Sequence, residues 1–302
     1  MCTRFSKNPT QLQAISDPLF ANNRIKVWIK REDQNHPKVQ GNKWHKLKLN
    51  LLEAQSQNKT ALLTFGGAYS NHIAATAYAA NETGLQSIGF IRGDELENNR
   101  QNWSHTLKTA HENGMELVFL SRKEYRQRSD EAFLNTLQTQ YPHAYILPEG
   151  GSNALAVAGF ESLMNDLQQQ CPQWTHLYTA VGTGGTLAGL VKYAPPAANR
   201  KILGVAALKQ ADYLLAQIQA WIDDSNVVDW ELLTQYHDGG YGKLSDNLRQ
   251  FKHRFETDFQ VPLDPVYTIK MLNAFYRQLQ HGEIPAGSNV ILLHTGGLQG
   301  NP

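Results

Sequence analysis

Three stretches of this 302-residue chain carry side chains suited to covalent chemistry. Gln40-Gly41-Asn42-Lys43 hands a lysine from a Gly-Asn turn to the start of an amphipathic segment. An uncharged lysine amine condenses with a carbonyl to form a Schiff base, and lysine loses its charge readily when desolvated or set near positive potential such as a helix N-terminus. Lys43 has that context. Lys30, Lys46 and Lys48 compete for the role, with Lys46 and Lys48 read more simply as solvated charges on the following helix. Far downstream, Val181-Gly182-Thr183-Gly184-Gly185-Thr186 sets glycine amides and two hydroxyls between an apolar run and a helical one. That arrangement cradles phosphate at a helix N-terminus.

Gly66-Gly67-Ala68-Tyr69-Ser70-Asn71 adds a polar loop after another apolar run, with Ser70 and Asn71 able to point into a cleft. Singly these motifs are weak: a lysine after Gly-Asn is most often a turn charge, a glycine cluster a turn, and Ser70 or Asn71 a helix cap. Joined, they point to pyridoxal 5'-phosphate as cofactor. A dinucleotide loop is the competing reading, but its G-x-G-x-x-G spacing fails here because Leu187 stands where the third glycine belongs. His72 reads as a packing histidine turned away from the ligand.

The elements that must position these groups are legible as periodicity. Residues 24–29 alternate like a strand that delivers Lys30-Arg31-Glu32-Asp33 into a loop, and a helix begins near Trp44. Strands at 61–65, 87–91, 116–120 and 144–147 alternate with helices at 71–83 and 103–113, and residues 122–140 read as one surface helix. A second set follows: helix 154–167 capped by Asn153, strand 174–180, helix 185–193, strand 201–206 and strand 289–294. Such alternation predicts α/β architecture with parallel sheets covered on both faces.

Net charge is +1 with both signs interspersed, which gives no footprint for nucleic acid or an anionic membrane and leaves a small-molecule ligand. Cys2 and Cys171 form neither a metal-ligand set nor a disulfide framework. No metal is expected. No apolar stretch reads as a signal peptide or a membrane span, so the expectation is a cytoplasmic protein.

Lys30-Arg31-Glu32-Asp33, Gly41-Asn42-Lys43, Ser70-Asn71-His72 and His294-Thr295-Gly296-Gly297 together resemble the 1-aminocyclopropane-1-carboxylate (ACC) deaminase and D-cysteine desulfhydrase family of fold-type-II pyridoxal-phosphate enzymes. The resemblance implies a two-lobed fold like the tryptophan synthase β subunit, with the cofactor in the cleft. Residues 1–46 and 151–302 would form the large lobe and 47–150 the small one. It implies a homodimer, with Lys43 holding the cofactor, Asn71 bonding its phenolic oxygen, and Gly182, Thr183, Gly184, Gly185, Thr186 and Thr295 completing its site. Ser70 would lie against a small amino-acid substrate, with Tyr69, Asn71 and Thr268 beside it and Tyr241 and Tyr267 as active-site tyrosines. Gln40, Trp44 and Tyr69 replace the family's usual Gly, Thr and Gln, and bring bulk toward the carboxylate site.

Two positions divide the family's activities. ACC deaminases carry Glu after the second tyrosine and Leu in the terminal His-x-Gly-Gly; here Thr268 and Thr295 stand there, as in the desulfhydrases. The expected reaction is therefore α,β-elimination by a lyase on a small D-amino acid, D-cysteine first, yielding pyruvate, sulfide and ammonia. ACC deamination and an inert cofactor- or amino-acid-binding paralogue are the alternatives.

Overall fold

The computed structural model describes residues 6–222 and 228–298; Cys2 lies outside them. The chain opens with β1 (Leu12–Ile15), α1 (Pro18–Asn22) and β2 (Lys26–Lys30), then α2 (Asn42–Ser56). It next lays down β3 (Ala61–Gly67), α3 (Asn71–Thr83), β4 (Gln86–Arg92), α4 (His105–Glu112), β5 (Met115–Leu120), α5 (Arg122–Tyr125), α6 (Glu131–Gln140) and β6 (Ala144–Ile146). These strands form a four-stranded sheet in the order β5-β4-β3-β6, parallel throughout. There follow α7 (Ala154–Ala158), α8 (Glu161–Gln170), β7 (His176–Val181), α9 (Gly185–Lys192), β8 (Lys201–Ala206), α10 (Leu214–Trp221), β9 (Asp229–Leu233), α11 (Asp246–Phe259), α12 (Thr268–Gln280) and β10 (Asn289–Leu293). The six-stranded sheet runs β1-β2-β10-β7-β8-β9, and only the β1–β2 pairing is antiparallel.

The sheets are buried on both faces, which is why their strands read as near-continuous apolar runs. Along β10, Val290 and Leu292 pack with Phe275 and Leu279 of α12, while Ile291 and Leu293 pack on the other face with Leu187 and Leu190 of α9. In the smaller sheet, Leu62 faces Leu47 and Leu51 of α2, whereas Leu63 and Phe65 face Tyr125 and Leu137. The expected α/β class with helix-flanked parallel sheets is what the chain adopts.

Three details differ from the sequence reading. The segment 122–140 is two helices, because Ser121 and Glu124 form a capping box at one start and Asp130 caps a second, accepting the Phe133 N–H. Residues 154–170 are likewise divided at Gly159, where a side chain would strike the His45 carbonyl of α2. Asn153 does cap α7, accepting the Ala156 N–H at 2.8 Å, a contact worth about 1 kcal/mol. Finally, β1 and β9, which edge the larger sheet, and helices α1, α10, α11 and α12 had no forecast from the pattern. The lobe division expected between residues 46 and 47 falls inside the continuous helix α2. Among the described residues, no helix is long and apolar enough to cross a membrane.

Candidate active site

A cavity of about 230 Å³ opens where strands of both sheets end: Gly67 closes β3, Arg92 closes β4, Val181 closes β7, and Thr295 follows β10. Ligands of parallel α/β sheets bind at such carboxyl ends.

Lys43 enters this cavity from the first turn of α2, and the preceding turn is fixed from two sides. Gly41 has φ +64°, where glycine is favoured, and a Cβ there would run into the Thr295 carbonyl. Its N–H donates to Glu32 O and Asn35 Oδ1, both at 2.9 Å, and its carbonyl accepts Asn35 Nδ2 at 3.0 Å. Glu32 is itself buried, with His45 Nε2 at 2.7 Å from Oε2 and the Thr10 hydroxyl on Oε1. The Lys30-Arg31-Glu32-Asp33 stretch is thus the clamp behind the lysine turn. Lys43 Nζ donates to Asn42 Oδ1 at 2.8 Å, and Asn42 Nδ2 donates to Thr186 Oγ1 at 3.0 Å. Burial lowers the Lys43 pKa to about 8, opposed by the Asp264 carboxylate. An amine poised there supplies the neutral nucleophile that a free lysine supplies only at higher pH.

The loop Gly182–Thr186 lines the inner end of the cavity through Gly182, Thr183, Gly184 and Thr186. Gly185 sits behind it, where a Cβ would lie 2.7 Å from Ser152 Oγ. Gly184, at φ +81°, offers no side-chain cap to α9, so the first-turn amides are open to a ligand. A side chain on Gly184 would press on Ile218 Cγ1 at 2.7 Å rather than into the cradle. Thr183 Oγ1 meets Ser152 Oγ at 2.6 Å and Lys46 Nζ at 3.3 Å.

Lys46 is the largest correction to the sequence reading. It is no solvated helix charge: it is 3% exposed, lines the cavity, and donates to Gly150 O at 3.0 Å and Ser152 Oγ at 2.8 Å. Burial, then the nearby Lys43 charge, drives its pKa well below the usual lysine value. Its spacing of three from Lys43 places both on one helix face, and that signal was available in the sequence. Lys48 is half-buried rather than solvated, donating to Ser162 Oγ at 2.9 Å and lying over the Trp44 ring. Lys30 is buried elsewhere, on Thr10 O and Gln170 Oε1.

On the substrate side, Ser70 and Asn71 open α3 and line the cavity, and Ser70 makes no side-chain cap. Asn71 Nδ2 packs so closely on Gly297 that a Cβ there would approach to 2.7 Å. His72 also contributes to the wall rather than turning away, yet its Nε2 is engaged by Thr64 Oγ1 at 2.8 Å, and burial lowers its pKa well below neutral. Tyr241 and Tyr267 both line the cavity with rings edge-on at 6.1 Å, and burial raises both phenol pKa values. The Tyr241 loop is tethered from α12 by Lys270 Nζ, which donates to Gly240 O at 2.6 Å. Thr295 lines the cavity; Thr268 stands behind it, the two hydroxyl oxygens 3.4 Å apart.

Tyr69 points away, 63% exposed, and contributes only its carbonyl, which accepts the Tyr241 hydroxyl at 3.3 Å. Trp44 packs in the apolar cluster with Leu47 and Leu51, outside the lining. Neither bulky departure crowds the cavity. Arg92, Arg128, Glu149 and Tyr213, which the sequence reading passed over, form its outer rim.

The chain matches the family described as pyridoxal-phosphate dependent enzyme over residues 6–296, and it belongs to that family. It is 27% identical over 295 residues to the bifunctional D-cysteine desulfhydrase/1-aminocyclopropane-1-carboxylate deaminase, mitochondrial, of Arabidopsis thaliana, covering 92% of this chain and 74% of the relative. It is also 27% identical over 291 residues to the D-cysteine desulfhydrase of Salmonella schwarzengrund, covering 90% of this chain and 86% of that one. The crystal structure of an ACC deaminase homologue superposes with a TM-score of 0.80 at 23% identity, covering 97% of this chain and 90% of the other. The site accommodates the family's cofactor: a lysine of lowered pKa, linked through Asn42 to Thr186, stands near uncapped helix amides that have Lys46 beside them.

Proposed function

We propose that this enzyme catalyses α,β-elimination on a small D-amino acid, D-cysteine foremost, to pyruvate, sulfide and ammonia. Lys43 would hold the pyridoxal phosphate; the Gly182–Thr186 amides, Thr183, Thr186 and Lys46 would hold its phosphate, and Asn71 and Thr295 would flank its ring. Bound there, the cofactor supplies an electron sink for the pair left at Cα. The protein's own part is to place the substrate and move protons. The uncapped N–H groups of α3 and the Ser70 hydroxyl suit an α-carboxylate, the Lys43 amine suits the proton at Cα, and the Tyr241 and Tyr267 phenols remain protonated donors beside the departing group.

The observation that carries the choice of reaction is the Thr268–Thr295 hydroxyl pair. A carboxylate near the ring or the substrate amine would assist the proton movements of cyclopropane opening, and a threonine hydroxyl cannot hold that charge. Among the described lining residues the one carboxylate is Glu149, and Arg128 Nε at 2.5 Å and the Tyr125 hydroxyl at 2.8 Å already engage it. ACC deamination is the second reading, favoured by the double activity in the Arabidopsis relative's name. A panel of D-cysteine, L-cysteine, D-serine, β-chloro-D-alanine and ACC, read by keto-acid formation, separates the two. D-cysteine and β-chloro-D-alanine should release pyruvate, D-serine slowly, and ACC should give no 2-oxobutanoate. ACC turnover above D-cysteine would overturn the elimination reading.

A further inference from the structure

The cations of the cavity are not equally committed. Lys43 donates to Asn42 Oδ1, Lys46 to three oxygens of the inner end, and Arg128 to Glu149. Arg92, the last residue of β4, also lines the cavity, and among the described residues its guanidinium has neither a carboxylate nor a hydrogen-bond acceptor. The side chain is nonetheless placed. Its Cζ lies 5.8 Å from the centroid of the Tyr125 ring, and its Nη2 lies 3.4 Å from where a Cβ on Gly67 would stand. Gly67 is itself a lining residue, so the guanidinium lies against the cavity wall.

The Tyr125 ring is in turn fixed by its hydroxyl on Glu149 Oε1 and by the Arg128 guanidinium 5.1 Å from its centroid. With the α3 amides suited to an α-carboxylate and the α9 amides to a phosphate, Arg92 is a cation left for a third anion. Guanidinium recognises carboxylate, phosphate and sulfonate by paired charge-assisted bonds.

We propose that Arg92 forms an outer subsite for a second anionic group, so that the cavity prefers amino acids whose side chain ends in an acid over neutral amino acids of the same shape. This deepens the preceding reading and rests on the cavity being an amino-acid site.

The test is equilibrium binding to the cofactor-loaded enzyme, read by the cofactor absorption band and by calorimetry, using aspartate and its neutral isostere asparagine in both D and L forms. Aspartate of one hand should bind roughly tenfold more tightly than asparagine of that hand, the size of one such bond. Arg92→Gln should bring the two within about twofold of each other, and Arg92→Lys should keep part of the preference. Equal binding of aspartate and asparagine, no binding of either aspartate, or a preference that survives Arg92→Gln would overturn the subsite. D-cysteine elimination is scored separately: pyruvate release without an aspartate preference sinks only the subsite, and the preference without pyruvate release sinks only the elimination.

Discussion

The two ends of the cavity are built differently. At the inner end, Thr183, Ser152, Lys46 and Gly150 bond one another, and Asn42 links the Lys43 amine to Thr186. At the outer end, Tyr69 is exposed, the Tyr241 hydroxyl donates to a backbone carbonyl at a long 3.3 Å, and Arg92 has no acceptor among the described residues. A fully satisfied buried network is rigid and holds one ligand shape. An open rim tolerates exchange. On the proposed reading the inner end is the cofactor seat and the outer end the place where substrate choice is set, and the sharpest way to break that division is to remove Lys43 and Lys46 in turn.

Lys43→Ala should have the largest effect. Borohydride treatment of the wild-type enzyme should fix a pyridoxyl group on the peptide bearing Lys43, and the variant should lose that label and about 10²–10⁴-fold or more of its keto-acid formation. The label should also depend on pH with the sign set by burial. Because the Lys43 pKa is lowered to about 8, cofactor capture by the apoprotein should climb as pH rises through 8 and then level. A label on Lys46 would transfer the catalytic role from Lys43 to Lys46.

Lys46→Met comes next. Gly150 O and Ser152 Oγ would lose their buried donor, a cost of about 1–3 kcal/mol, and cofactor affinity should fall roughly tenfold or more. Label at Lys43 should return at saturating cofactor, which separates a phosphate-side role from a covalent one. Unchanged affinity in a titration of the apoprotein would detach Lys46 from the phosphate.

The inner end was more legible in the sequence than the outer one, for a physical reason. Gly41, Lys43 and the Gly182–Thr186 loop are local motifs whose conformations follow from residue type, and Leu63, Phe65, Ile202 and Val205 mark buried strands by hydrophobicity alone. Lys46 was misread because a lysine's fate depends on acceptors more than a hundred residues away, Ser152 and Thr183. Arg92 and Arg128 belong to the rim only through the sheet register that sets Arg92 beside Gly67. Helix α12 did leave a trace, with Ile269, Leu272, Phe275, Tyr276 and Leu279 at helical spacing on the core face. The short edge strands β1 and β9, with Gln13 and Glu231 among their exposed or half-exposed positions, carried no such trace.

The smallest expected effect tests the outer end directly. Tyr69 differs from the family's usual glutamine, and its bulk suggested a blocked carboxylate site; the side chain instead projects to solvent, and the one bond made at this position uses the backbone carbonyl. Tyr69→Gln leaves that carbonyl in place and removes an exposed ring that fills no part of the cavity lining. Surface changes of this kind shift stability by within about 0.5 kcal/mol. The melting temperature should hardly move, and kcat/KM on D-cysteine should change by less than about threefold, which 0.5–0.7 kcal/mol corresponds to. Cofactor affinity should not change at all, because nothing at the inner end touches Tyr69. A tenfold rise in kcat/KM would mean that the tyrosine folds over the cavity when substrate is bound, and the outer end would then be a shaped wall in its own right.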